Sequence, residues 1–150
     1  MNKLILIAAT LLFIIPANAQ KATERDNVIS LLKQFDNSVA KKDSITLKKI
    51  LTDDFIGSIA NGQSFNKNSY ISFVCGIHSK TREFKEESTA GWNIKISNDC
   101  AIVNRTVTYL FKTSGKKEPS EIKVKKLEVC LKVKGKWMLA SLQATEVLKK

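Results

Sequence analysis

The sequence predicts one α+β domain, with three helices first and a series of long antiparallel strands after them. Three observations carry this expectation. Apolar residues recur at steps of three and four in the first half, and from about residue 82 they alternate with polar ones. The chain also has no internal repeat and no linker-like stretch, so helices packed on one face of one sheet are the simplest architecture.

The first helix rests on Val28, Leu31, Leu32, Phe35 and Val39, one apolar stripe, with Thr23 as its expected N-cap and Glu24 and Asp26 in the first turn. After Lys41-Lys42-Asp43 a second, short helix is capped by Asp43 or Ser44, and Ile45, Leu47, Ile50 and Leu51 form its buried side. A hairpin follows: Phe55 to Ala60 as a strand, Asn61-Gly62 as the turn, and Gln63 to Phe65 as the start of the return. A third helix, roughly Lys67 to Cys75, offers Tyr70, Ile71, Phe73 and Val74 to the core. Trp92, Ile94 and Ile96 then alternate with polar residues up to a turn at Asn98-Asp99. Three long strands complete the chain: Cys100 to Lys112, Ile122 to Lys134 and Trp137 to Val147.

The first 19 residues read as a secretory leader. Lys3 precedes an apolar run from Leu4 to Ile15, and Ala17-Asn18-Ala19 has the small-residue pattern of a cleavage site before Gln20. The run is too short for a membrane anchor, which needs about 20 apolar residues. The expected organisation is therefore a signal peptide over 1–19 and a single domain over 20–150, exported to the periplasm or secreted.

Lys3 is the only charge in the leader, so the rest carries 24 basic against 14 acidic residues. Eleven lysines fall between Lys112 and Lys150, yet only Arg82 and Arg105 occur after residue 26. Nucleic-acid surfaces favour arginines interleaved with exposed aromatics, so a solvated basic face is the better reading and no nucleic-acid partner is expected. Cys75, Cys100 and Cys130 form no CxxC, and only the single histidine, His78, could join them. No metal or cofactor is expected on that basis. Whether any of the three is disulfide-bonded stays open.

Odd positions on the last three strands line up as one face: Val103, Arg105, Val107 and Tyr109, then Leu127, Val129, Leu131 and Val133, then Trp137, Leu139, Ser141, Gln143 and Thr145. Lys126, Glu128, Cys130, Lys132 and Lys134 fall on the other, expected to face solvent. With odd residues opposite odd, Arg105, Ser141 and Gln143 would share one pocket wall.

Asp43, Leu51-Thr52-Asp53-Asp54-Phe55, Gly62, Lys67, Asp99-Cys100-Ala101 and Gly135-Lys136-Trp137, in this order and spacing, resemble the nuclear transport factor 2-like superfamily. The likeness is greatest to its SnoaL-like and ketosteroid isomerase-like branch of small exported bacterial proteins. That resemblance implies a cone-shaped, curved antiparallel sheet which encloses a cavity with the helices, in a domain often dimeric through the sheet. It also places Phe35 where the isomerases carry the tyrosine that donates to the enolate, and Ile59 where they carry the proton-moving aspartate. Neither side chain can do that chemistry, so isomerase activity of that kind is not expected.

Arg105 is the main candidate for ligand contact, because a guanidinium on an apolar face needs an anion: a ligand, or an internal acid such as Asp54 or Glu146. Tyr109, Ser141, Gln143, Tyr70 and Trp92 are the other ligand-binding candidates. His78, near the expected cavity mouth, and Asp54 are weak catalytic candidates; Asp54 also reads as a loop-bonding residue. Three functions remain open. The first is an exported module binding a small anionic or apolar ligand without turnover. The second is a lyase, isomerase or hydrolase using His78 or Asp54 with Arg105 or Tyr109. The third is an interaction protein working as a homodimer, although Lys126, Lys132 and Lys134 on the outer sheet face would set like charges against each other. A roomy cavity with convergent polar groups would favour the first two, and a titratable group inside it would favour the second.

Overall fold

The computed structural model describes residues 17–76, 80–85, 91–113 and 120–147. Helix α1 spans Ala17–Lys41, α2 Ser44–Ile50 and α3 Lys67–Gly76. Strands β1 Leu51–Ser58 and β2 Ser64–Asn66 lie between α2 and α3, and β3 Lys80–Lys85, β4 Asn93–Ser97, β5 Cys100–Thr113, β6 Ser120–Val133 and β7 Lys136–Glu146 follow. The α+β class and three-helix order agree with the sequence reading.

Local chemistry explains the ends. Asp43 caps α2, its side chain accepting from the Thr46 amide at 3.0 Å and the Thr46 hydroxyl at 2.6 Å. Asn66 and Ser69 cap α3 reciprocally: Asn66 Oδ1 accepts from the Ser69 amide at 2.9 Å, and the Asn66 amide donates to Ser69 Oγ at 3.0 Å. Three boundary expectations fail. Strand β1 runs Leu51–Ser58 rather than Phe55 to Ala60, so Leu51 opens the strand instead of closing α2. Helix α1 begins before Thr23, because Ala17 to Ala22 contains good helix formers and no breaker. Ile45 is exposed, since the seven-residue α2 buries only Leu47 and Ile50.

The sheet runs β2-β1-β7-β6-β5-β3, with β4 also paired to β5. Pairing is antiparallel except for β1 beside β7, where Leu51 lies next to Leu139 in parallel. Strand β5 changes partner along its length: Cys100 to Asn104 pair with β4, Thr108 to Thr113 with β3. That switch bends the sheet into an open cone. The helices fill its concave side, where Val28, Leu32, Phe35, Leu47, Leu51, Phe55, Val103 and Leu139 are almost wholly buried. Each such side chain contributes roughly 1.5–3 kcal/mol of transfer free energy.

The largest departure from expectation is the facing of β6. Val124, Lys126, Glu128 and Cys130 point inward and are buried, whereas Leu127 and Val133 are exposed on the convex side. The cause is one residue of turn length. Lys134 and Gly135, at φ of 49° and 79°, form a two-residue turn that pairs Val133 with Lys136. The three-residue connection read from Lys134-Gly135-Lys136 would have set odd beside odd; the shorter one inverts every side chain of β6. A bulge then shifts the register, with Cys130 beside Leu139 but Val129 beside Ser141. Trp137 and Leu139 consequently face inward, and beyond the bulge Leu142 does.

Candidate functional site

The cone holds a cavity of about 610 Å³ between α1, α3, the β1–β2 turn and the ends of β5, β6 and β7 nearest residues 109, 122 and 146. Tyr70, Phe73, Ile122, Val124 and Leu142 supply an apolar lining. Asn61 and Glu146, both exposed, stand at its rim. Lys126 and Tyr109 are the polar side chains at the buried end.

Behind that end lies a compact group of four buried charges. Arg105 is 2% exposed, Lys126 1% and Glu128 0%, with Asp36 of α1 beside them. Arg105 donates through Nε to Glu128 at 2.7 Å and through Nη2 to Glu128 at 2.8 Å. It also donates through both terminal nitrogens to Asp36, the Nη2 contact being 3.1 Å. Lys126 Nζ donates to Asp36 at 2.8 Å and stands 4.0 Å from Glu128. Trp92 closes the group from the side, its ring 4.2 Å from the Arg105 guanidinium carbon.

The titration behaviour follows. Burial opposes ionisation of Asp36, but Lys126 and Arg105 outweigh it and hold the carboxyl below its usual value. Burial likewise works against charge on Lys126 and Arg105, and the facing carboxylates more than compensate, so both are held more firmly protonated. Burial pushes the Tyr109 phenol up, so it stays neutral. Two cations and two anions leave the group with no net charge.

The candidate residues therefore separate. Tyr70 and Tyr109 line the cavity. Arg105 does not; it meets internal acids, which are Asp36 and Glu128, while Asp54 and Glu146 are exposed. Trp92 packs on Arg105 rather than the cavity wall. Ser141 is half-buried and Gln143 exposed on the convex face, paired with Val129 and Leu127, so the shared wall with Arg105 does not form. His78 lies outside the described residues. Phe35 is fully buried, stacked on Tyr70 at 6.0 Å, and Ile59 lines the cavity. Cys75, Cys100 and Cys130 are free thiols; burial pushes Cys130 well up, so it is no thiolate. Among the described residues no cluster of three or more metal-ligating side chains occurs.

Asp36, Lys126 and Glu128 escaped the sequence reading. Asp36 adjoins the buried stripe at Phe35, and Lys126 and Glu128 alternate with Val124 and Cys130. The signal was Arg105 itself, whose inward position demanded carboxylates within reach.

No family model matches the sequence, and no curated protein does. Solved structures match by fold. A nuclear transport factor 2-like protein from Cytophaga hutchinsonii aligns with a TM-score of 0.70 and 17% identity, over 82% of this chain and 98% of that one. LinA aligns with a TM-score of 0.73 and 13% identity, over 88% and 91%. An inferred dehydratase of the nuclear transport factor 2-like family from Streptomyces avermitilis gives 0.73 and 16%, over 86% and 99%. The chain has the nuclear transport factor 2-like fold. At these identities the likeness concerns architecture, which hosts both binding proteins and enzymes.

Proposed function

We propose that this domain is an exported binder of a small, mainly apolar molecule, held in the cone cavity without turnover. The observation that carries the reading is the cavity of about 610 Å³, aromatic and aliphatic along its walls, with Lys126 and Tyr109 at its buried end. Its size falls within the roughly 300–1,000 Å³ of small-molecule sites. The four-charge group is already balanced, so an anion would meet no surplus positive charge. A neutral ligand with one hydrogen-bond acceptor fits better than the anionic one first expected around Arg105. Turnover is disfavoured because Asp36, the carboxylate nearest the buried end, is held at low basicity by its two cations.

The neutral fluorophore N-phenyl-1-naphthylamine tests this. Wild-type protein should bind one equivalent, and Ala144→Trp, which fills the cavity near its rim, should abolish binding. Binding that survives Ala144→Trp would refute the cavity reading. For export, intact-mass measurement of the secreted protein should give a chain beginning at Gln20. Cleavage there removes Ala17, Asn18 and Ala19 from α1 and leaves Glu24 and Val28, with their contacts to the sheet and core, in the mature chain.

A homodimer through the convex sheet face is the second reading. Ile56, Ile102 and Leu127 are 62%, 45% and 43% exposed there. Ile56 pairs with Ser141, Ser141 with Val129 and Val129 with Ile102, so these side chains form one row across four strands. The three lysines expected to repel there sit elsewhere, Lys126 internal, Lys132 bonded to Glu24 and Lys134 in the turn, although the exposed Lys123 and Lys125 share the convex side of β6 with Leu127. Leu127→Lys should convert a sedimenting dimer to monomer; a wild-type monomer at high concentration would end this reading.

A further inference from the structure

A second depression, of about 850 Å³, lies at the opposite end of the β6–β7 hairpin from the cavity, between α1, the end of α2 and the hairpin turn. Its floor is apolar: Leu31, Ile50, Trp137 and Met138. Its rim is divided. The α1 side offers the neutral Asn27, Ser30 and Gln34, while α2 and the turn offer Lys49, Lys134 and Lys136, all exposed. No carboxylate lines it among the described residues. The nearby Glu24 accepts from Lys132 and the Trp137 indole, so its charge is matched and the indole nitrogen is occupied. The two-residue turn, with positive φ at Lys134 and Gly135, fixes the backbone that carries two of the three lysines.

We propose that this groove is a separate site for a free single-chain anionic amphiphile, its tail on the Leu31–Ile50–Trp137–Met138 floor and its head among Lys49, Lys134 and Lys136. An apolar floor beside a one-sided cationic rim matches a molecule whose charge is confined to one end. A nucleotide would waste the floor, and a neutral lipid would waste the lysines.

Dodecanoate, below its micelle-forming concentration, is the probe, with binding followed by calorimetry at two salt concentrations. Wild-type protein should bind one equivalent, more weakly at high salt. Octanoate should bind about tenfold more weakly or worse, through the loss of four methylenes, and dodecyltrimethylammonium should not bind. Lys49→Glu/Lys134→Glu/Lys136→Glu should weaken dodecanoate at least about tenfold, while Lys95→Glu/Lys123→Glu/Lys125→Glu, with the same charge change elsewhere, should not. Equal losses in the two triple variants would overturn the proposal, leaving only attraction to net charge. Loss of dodecanoate binding in Ala144→Trp would overturn it in favour of the cavity. Binding seen only with phosphatidylglycerol vesicles would overturn it in favour of a membrane surface.

Discussion

Two carboxylates of α1, little more than three helical turns apart, are each clamped by basic residues of the sheet, in different surroundings. Glu24 accepts from Lys132 and the Trp137 indole near the surface, where the side chains of Glu24 and Lys132 keep 20% and 25% of their exposure. Asp36 accepts from Arg105 and Lys126 where those two side chains keep 1%. The chemistry is the same and the solvent is not. Water screens the first clamp and would solvate either partner left alone. At the second, each ion depends on the others, since a stranded buried charge has nothing to replace its partner. The outer clamp ties α1 down; the inner one balances the charges that the two-residue turn has set inward.

The largest effect expected from this contrast is that of Arg105→Met. It strands Glu128 and leaves Asp36 with Lys126 alone, so urea denaturation at neutral pH should show a loss of about 3–5 kcal/mol. The gap to wild type should narrow as pH falls, because Asp36, no longer held low by Arg105, takes up its proton more readily in the folded variant than in wild type. A pH-independent loss would show that packing, not charge, is at stake.

Asp36→Asn should cost less, about 2–3 kcal/mol, because the amide oxygen still accepts a bond. It also tests the sign of the pH dependence. The folded-state pKa of Asp36 is lowered, so its contribution is complete above the unfolded value and fades as pH falls through the folded one. Stability of the variant should therefore fall less steeply in acid than that of wild type.

Arg105→Met/Glu128→Leu removes one cation with one anion and leaves Lys126 paired to Asp36. It should be more stable than Arg105→Met alone, a sign of coupling that a double-mutant cycle measures. Glu24→Gln comes last. Its carboxyl is held low by hydrogen bonds from Lys132 and Trp137, yet it is solvated, so the thermal midpoint should move less than in any inner-clamp variant. A comparable drop would dissolve the contrast between the two clamps.

Much of this architecture can be read from residues alone. The α1 stripe, the α3 core residues and the long strands follow from periodicity, because each faces a single apolar layer. Strand β6 could not be read this way. Its convex side carries Leu127, Val129 and Leu131, its concave side Lys126 and Glu128, so hydrophobicity pointed the wrong way. Polarity marks a solvent face only when buried charges lack partners, and here Arg105 and Asp36, from distant parts of the chain, supply them. Of the candidate site, Tyr70 and Tyr109 reach the cavity by periodicity; Ser141 and Gln143 pair with Val129 and Leu127 as expected but miss it, because the bulge turns them to the convex face and β5 sets Arg105 beside Lys126.

The pairing of β1 with β7 also governs the order of events in time. Leu51 needs Leu139 beside it, and α1 finds its anchors at Lys126 and Lys132. Nothing made early in synthesis can close the sheet by itself, so an emerging chain has helices without a floor until its last strand arrives. Contacts so distant in sequence slow folding relative to a helical bundle. The delay keeps the unfinished chain threadable, as the export proposed above requires.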